Sequence, residues 1–137
     1  MVINLADVEE PTREIIPPGI YDAMVDNVEF GNSRKGNPML TWTFVVTDKE
    51  GKNHTLFYHN TLNDDRGKGR VKQTVNALIS DEEEFDWTEF RPSETAEWAV
   101  GRQCRVRVRI QPANEEYDRS NSIVKVMQAA ESTFLQS

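Results

Sequence analysis

The chain is poor in the residues that build covalent and metal-bound sites. It has a single cysteine, Cys104, which excludes an internal disulfide, and its two histidines stand at no spacing typical of a zinc site. No nucleophile–base pair and no nucleotide-binding loop is visible in the sequence. We therefore expect a protein that is not an enzyme and that needs no cofactor or metal.

Long hydrophobic stretches are missing as well. No apolar run approaches the roughly 20 residues that a membrane-spanning helix needs, and the N-terminus lacks the basic start and apolar core of a signal peptide. A length of 137 residues suits one domain with one hydrophobic core. The sequence thus predicts a single domain without a membrane partner, in a reducing, intracellular compartment.

Charge is distributed unevenly along the chain, whose net charge is −7. Residues 1–30 carry −6 and residues 81–100 carry −7, whereas residues 31–80 carry +4 and residues 101–127 carry +3. A negative net charge slows non-specific encounter with a polyanion, but a local basic face can still bind one. The acidity of the whole chain therefore does not exclude a nucleic-acid ligand.

Alternation of apolar residues with a period of two predicts five strands. In the first of them the alternation slips at Asp26 and Asn27, which predicts a β-bulge. In the second, Trp42 and Phe44 lie on a wholly apolar face and are expected in the core. The predicted strands are GIYDAMVDNVEF (19–30), MLTWTFVVT (39–47), HTLFYH (54–59), QCRVRVRIQ (103–111) and SNSIVKVMQ (120–128).

Helical spacing replaces this alternation between the third and fourth strands. Apolar residues at 71, 75, 78 and 79 predict a helix of about three turns from Gly69 to Ile79. In the acidic stretch that follows, a short helical turn is expected from Ser93, as its N-cap, to Ala99. Five strands with a helix between the third and fourth is the element order of an OB fold.

The predicted fold is therefore mostly β: a five-stranded, OB-fold-like barrel with one helix between strands 3 and 4. We expect a flexible N-terminal arm at residues 1–17 and a nucleic-acid-binding domain at residues 18–128. Within that domain, residues 81–99 form an acidic insert, and residues 129–137 form a C-terminal tail.

Several short motifs in this order resemble a known family. They are a Gly-x-Tyr that opens the first strand, a Lys-Gly-x-Pro-Met-Leu turn into the second, a helix ending in Ala-Leu, and a Val-Gly-Arg start to the fourth. Over residues 17–127 the chain resembles phage-encoded single-stranded DNA-binding proteins with an OB-like fold, a family formerly of unknown function. The acidic insert has no match there, and the C-terminal run of aspartates typical of many single-strand-binding proteins is missing.

This resemblance implies a place for the protein in phage DNA replication, recombination or repair, in the cytoplasm of the infected bacterial host. It implies single-stranded DNA as the partner, bound without strong sequence preference. Phage replication or recombination proteins are further candidate partners. An exposed barrel strand that pairs across a two-fold axis would give a homodimer, and the sequence leaves that alternative open.

The basic side of the fourth predicted strand is the first candidate site. Arg105, Arg107 and Arg109 share one face at intervals of about 6.6 Å, which suits the phosphates of an extended single strand. Guanidinium groups bind phosphates bidentately and stack on bases. The alternative is a solvated face that pairs with the acidic segments or deters edge-to-edge aggregation.

Loops and aromatic residues complete the predicted DNA-binding set. Arg34 and Lys35 lie in the loop between the first two strands, which borders the ligand groove of OB folds. Phe57 shares a mixed face with Thr55 and His59 and is the preferred base-stacking residue on the sheet. Tyr117, beside Arg119 in the loop between the last two strands, is the second aromatic candidate, although both aromatics could equally cover the core.

The acidic insert allows two further hypotheses. It could cover the basic face and compete with DNA, or it could dock a phage or host protein, so that the domain is a protein-interaction module. The basic stretch RGKGRVK, with arginines and lysines at 66, 68, 70 and 72, lacks the spacing of a phosphate loop. It could instead extend a DNA path or be a solvated start of the helix.

Overall fold

Five antiparallel strands form one sheet in the computed structural model, which describes residues 1–4, 6, 15–80, 83–115 and 119–129. Two helices connect the third strand to the fourth. The elements are β1 (Gly19–Asn32), β2 (Pro38–Thr47), β3 (Asn53–Thr61), α1 (Asp65–Leu78), α2 (Pro92–Ala99), β4 (Gln103–Gln111) and β5 (Ser120–Gln128). The mostly β fold and the five strands are thus confirmed, and α2 lies where the sequence predicted a short helical turn.

The order of the strands in space is β3-β2-β1-β4-β5. Because β4 returns to lie beside β1, the first four strands form a Greek key. The two edge strands, β3 and β5, approach each other until their Cα atoms are within 8 Å. No ladder of hydrogen bonds joins them within the described ranges, so the sheet curls but does not close into the predicted barrel.

Two irregularities bend the sheet. The predicted bulge in β1 is confirmed, since the pairing with β2 shifts register between Val25 and Asn27. A second bulge, which the sequence did not reveal, lies in β5 where the pairing with β4 skips Val124. Val124 and Lys125 are therefore both exposed, although they are consecutive residues of a strand.

The core occupies the inner side of the curled sheet. Trp42 and Phe44 are fully buried, as predicted, and the indole Nε1 of Trp42 donates to the Asn60 side-chain oxygen at 2.9 Å. Cys104 is buried on the same side, and burial raises the pKa of its thiol to about 12. Since a nucleophile requires the thiolate, this cysteine acts as a packing group.

Helix α1 starts four residues earlier than the sequence predicted. Asp64 is its N-cap, and the carboxylate oxygen of this residue accepts a hydrogen bond from the Gly67 N–H at 2.7 Å. The two glycines of this segment made residues 65–69 look unsuited to a helix, but the cap offsets their poor propensity. The predicted start at Gly69 was therefore wrong, and Arg66, Lys68 and Arg70 are all helical.

The predicted N-cap of α2 was also wrong. The helix begins at Pro92, with Arg91 as its N-cap, and Ser93 lies within its first turn. Proline suits the first helical position because its fixed φ is already helical and its missing N–H would have no partner there. This early start leaves the serine hydroxyl without a capping role.

Candidate nucleic-acid interface

The strand β4 presents its arginines as the alternation predicted. Cys104, Val106 and Val108 are buried, and Arg107 and Arg109 on the opposite face are exposed. Arg105 is half-buried, since its Nε donates to the backbone carbonyl of Gln128 at 2.9 Å. The carboxylate-bearing Asp22 of β1 lies opposite Arg105, so this end of the row is less basic than the sequence suggested.

A groove lies in the gap between the two edge strands and has a volume of about 500 Å³. We call it the β3–β5 groove. Three arginines from two elements, α1 and β4, line it, and no acidic side chain does so among the residues that the structure describes. Its lining residues are Phe57, Tyr58, His59, Arg66, Arg70, Arg109, Gln111, Asn121, Ser122, Ile123 and Val124.

Phe57 is the large aromatic surface of this groove. It points away from the core on β3, opposite Thr43 of β2, and is 59% exposed. The neighbouring Tyr58 faces inward and is buried, so the two consecutive rings lie on opposite faces of β3. An exposed phenyl ring costs hydrophobic free energy, and stacking with a nucleobase would recover part of it.

Two of the three groove arginines come from the first turns of α1. Arg66 and Arg70 are four residues apart and therefore lie on the same side of the helix. Gly67 sits between them against the end of β3, where a Cβ atom would come within 2.0 Å of the Thr61 carbonyl oxygen. The glycine thus lets the helix approach the sheet edge closely enough for its arginines to line the groove.

The groove is fixed on its other side by Asn121 of β5. Its amide nitrogen donates to the Ile16 carbonyl at 2.9 Å, and its oxygen accepts from the Ile16 N–H at 2.9 Å. Ile16 is buried, although it falls within the predicted flexible arm. The buried Ile16 and the double hydrogen bond hold the wall of the groove in place.

The remaining predicted residues lie outside the β3–β5 groove. Arg34 and Lys35 are exposed at the tip of the β1–β2 hairpin. Pro38, at the base of this hairpin, accepts a hydrogen bond from Leu62 N–H at 2.8 Å, which places the hairpin next to the end of β3. Arg119 is exposed before β5, and Tyr117 falls outside the described residues.

A second groove runs between α1 and β5 and has a volume of about 600 Å³. We call it the α1–β5 groove. Arg105 lines it together with Lys72 and Lys125. The arginines of β4 therefore form a row from one groove to the next. Arg109 lines the β3–β5 groove, Arg105 lines the α1–β5 groove, and Arg107 is exposed between them.

The described part of the acidic insert packs as an ordered unit beside α2. Phe85 contacts the rings of Trp87, Phe90 and Trp98, with centroid distances of 4.6, 6.3 and 5.9 Å. Carboxylates of the insert line a small separate cleft, and they belong to Glu84, Asp86, Glu89 and Glu94. None of these carboxylates lines either basic groove, but the Trp87 ring of the insert contacts the ammonium group of Lys72, which lines the α1–β5 groove.

Glu83 and Arg102 hold the insert to the rest of the domain. The two side chains form a bidentate ion pair, with N···O distances of 2.5 and 2.7 Å. Arg102 also lies over the Trp98 ring at 3.9 Å, and the Trp98 indole donates to Glu83 at 2.8 Å. These hydrogen bonds, with Arg102 the largest cause, hold the pKa of Glu83 far below its ordinary value.

The sequence analysis named Arg66, Arg70 and Lys72 only as an alternative extension of a DNA path, and it did not name Val124 and Lys125, yet these five groove residues share one property. They come from the helix and from the bulged edge strand, so that only the packing of α1 against β5 and β3 brings them to β4. Asp64 as an N-cap was the available signal for Arg66 and Arg70, since it moves the start of the helix.

The described residues hold neither a metal-binding cluster nor a membrane-spanning helix. No group of three or more histidine, cysteine, aspartate or glutamate side chains there is arranged to hold a metal ion. The Nε2 atom of His54 is instead hydrogen-bonded to the carboxylate of Asp48 in the β2–β3 turn, at 2.7 Å. No helix among those residues is long and apolar enough to cross a membrane.

Comparison with known proteins gives a family for the chain. The model of a family described as "Protein of unknown function (DUF669)" matches residues 2–132, which is most of the chain. The chain therefore belongs to that family. None of the curated proteins matches it.

Proposed function

We propose that this member of a family of unknown function binds single-stranded DNA without strong sequence preference. The observation that carries the proposal is the β3–β5 groove, which is lined by Arg66, Arg70 and Arg109 together with the exposed ring of Phe57. A basic groove with an aromatic platform is the combination that sequence-tolerant single-strand binding requires. Because DNA binding needs no catalytic group, the proposed function is not an enzymatic one.

The Greek-key sheet supports a finer proposal, that the domain is an OB fold opened between β3 and β5. OB folds are five-stranded, partly open Greek-key barrels that bind oligonucleotides on strands 2 and 3 and on the loops between strands 1 and 2 and strands 4 and 5. Phe57 on β3, Lys35 in the β1–β2 loop and Arg119 in the β4–β5 connection hold the corresponding positions. These residues would extend the DNA contacts beyond the groove.

The arginines and the phenyl ring would have different roles in binding. Arg66, Arg70 and Arg109 would neutralise phosphates, and the released counterions would make the affinity fall with added salt. Phe57 would stack on a base, which contributes about 1–3 kcal/mol and is tolerant of sequence because every base has a π face. The protein would thereby protect single strands during phage DNA replication, recombination or repair in the host cytoplasm.

A protein-interaction module of the same fold is the second candidate. The cleft in the acidic insert favours it, because the half-buried rings of Phe85 and Trp98 line it together with four carboxylates and one cation, Arg91. Such a cleft suits a basic peptide with an apolar anchor. A replication or recombination protein could supply such a peptide under either candidate function. The two candidates therefore differ in whether the domain binds DNA.

Fluorescence anisotropy with labelled oligo-dT tests the proposal. Phe57→Leu keeps an apolar side chain but removes the stacking surface, so we expect weaker binding by about 1–3 kcal/mol. Phe57→Tyr keeps the ring and should bind as the wild type does. Arg66→Ala/Arg70→Ala should reduce the slope of log Kd against log salt by about 1.4, at 0.7 for each lost phosphate contact.

Arg91→Ala is the matched control, since Arg91 is exposed in the acidic insert and forms ion pairs with Glu89 and Glu94 outside both grooves. Its affinity and salt slope should equal those of the wild type. Equal binding by Phe57→Leu and the wild type would show that this ring is not a stacking site. No binding of oligo-dT by the wild type at low salt would reject the function and favour the interaction module.

A further inference from the structure

The α1–β5 groove combines positive charge with groups that can recognise base edges. Three cations line it, and no acidic side chain does so in the part of the chain that the structure describes. Side-chain amides, which hydrogen-bond both acceptors and donors on bases, lie among these cations. The polar residues that line the groove are Lys72, Arg105 and Lys125, and Gln73, Asn76 and Gln128.

The bulge in β5 sets this groove directly beside the β3–β5 groove. Val124 lines the β3–β5 groove, whereas its neighbour Lys125 lines the α1–β5 groove. In a regular strand these two consecutive side chains would point to opposite faces. Because the bulge exposes both, the two grooves meet at one point of the surface, next to Arg107.

Arg107 and Lys125 form an unfavourable pair at this meeting point. They lie directly opposite each other on β4 and β5, and like charges in such positions destabilise a sheet. On its other side Arg107 faces Ile20 of β1, so no acid lies directly across from it on either neighbouring strand. The nearest acid on β1 is Asp22, which is opposite Arg105. A bound phosphodiester would relieve the repulsion between Arg107 and Lys125.

We propose that the α1–β5 groove is a second subsite for the same DNA strand that occupies the β3–β5 groove. The inference rests on the proposed function and extends it along Arg109, Arg107 and Arg105. These residues span about 13 Å, which an extended strand covers in about two nucleotides. The lysines hold phosphates of the continuing strand, and the exposed amide of Asn76 contacts its bases, whereas the Gln73 amide nitrogen already donates to the Val126 carbonyl.

Trp87 provides a reporter for this subsite. The ammonium group of Lys72 lies over its ring, 5.2 Å from the centroid, while Trp42 is buried in the core. A phosphate that draws Lys72 away from the ring changes the environment of Trp87. Occupancy of the α1–β5 groove therefore changes Trp87 emission, and Trp87→Phe should remove that part of the signal.

Oligonucleotides of two lengths separate the subsites. An oligo-dT of about 6 nucleotides is expected to fill the β3–β5 groove alone, and one of about 12 both grooves, within the range of about 4–16 for one OB fold. Lys72→Ala/Lys125→Ala should bind the short oligonucleotide as the wild type does. With the long one its salt slope should fall by about 1.4, at 0.7 for each lost contact.

The control is Lys49→Ala/Arg91→Ala, which removes the same charge at two exposed positions outside both grooves. It should match the wild type at both lengths. If Lys72→Ala/Lys125→Ala also matches the wild type with the long oligonucleotide, or if Trp87 emission stays constant while that oligonucleotide binds, the second subsite is rejected. In that case, binding of the short oligonucleotide would still support the proposed function. If the wild type binds neither oligonucleotide, the proposed function and the second subsite are both rejected.

Discussion

At the scale of single residues, two glycines in α1 have opposite roles. At Gly67 a Cβ atom would lie 2.0 Å from the Thr61 carbonyl oxygen, whereas at Gly69 nothing lies within 4 Å of the added atom. Helix propensity alone favours alanine over glycine by about 1 kcal/mol at both positions. The difference in unfolding free energy between alanine substitutions at the two positions therefore measures how closely α1 approaches β3.

The matched pair of substitutions gives a clear prediction for stability. Gly67→Ala should destabilise the domain by about 1–3 kcal/mol, because backbone has to move to admit the methyl group. Gly69→Ala should stabilise it by roughly 0.5–1 kcal/mol. Urea denaturation measures both changes, and equal effects of the two substitutions would show that the helix is not pressed against the strand end.

The residue scale also shows what alternation in a sequence can reveal. The period of two correctly assigned the faces of β4 and placed Phe57 outside and Trp42 inside, because side chains of a strand alternate regardless of their tertiary neighbours. The bulge at Val124 escaped this reasoning. A bulge depends on the pairing with the neighbouring strand, and the residues Ser122 to Val126 carry no local signal for it.

At the scale of elements, the ion pair of Glu83 and Arg102 joins the acidic insert to the start of β4. Hydrogen bonds from Arg102, Trp98 and Ser80 hold the pKa of Glu83 far below its ordinary 4.5. A carboxyl whose pKa is lower in the folded state stabilises the fold above its unfolded pKa and loses that effect as the pH falls. The insert is thus fixed in place at neutral pH and is weakened in acid.

Glu83→Gln tests this attachment. At pH 7 the variant should be less stable than the wild type, and the difference should shrink as the pH falls below about 4.5 towards 2. Asp48 and Asp86 also have lowered pKa values, so the wild type and the variant should both lose stability in acid, but the variant less steeply. Thermal unfolding at several pH values measures this, and parallel curves would contradict the assigned role of Glu83.

Elements were predicted better than their assembly. All five strands and the first helix could be found from periodicity, and the short turn at α2 from its composition. The gap between β3 and β5 could not be found, because it is set by the curl of the whole sheet. The basic groove follows from that gap, since Arg66 and Arg70 meet Arg109 only where the two edges face each other.

At the scale of the whole molecule, the two grooves are basic and the insert beside them is acidic. The net charge is −7, yet the described residues that line the two grooves include six cations and no acid, while carboxylates gather in the insert beside α2. A polyanion is therefore attracted by the positive charge of the grooves, although the protein as a whole is negative and repels it. This distribution of charge favours contact with a polyanion at the grooves rather than at the insert.

Photocrosslinking tests the central claim, that a single DNA strand lies in the β3–β5 groove. An oligo-dT carrying photoreactive thymine analogues is bound at low salt and irradiated, and the crosslinked peptides are identified by mass spectrometry. The proposed function predicts crosslinks to β3 at Phe57, to the first turns of α1 and to β5 near Val124. Crosslinks confined to the acidic insert or to the far side of the sheet, or no crosslink at all, would contradict it.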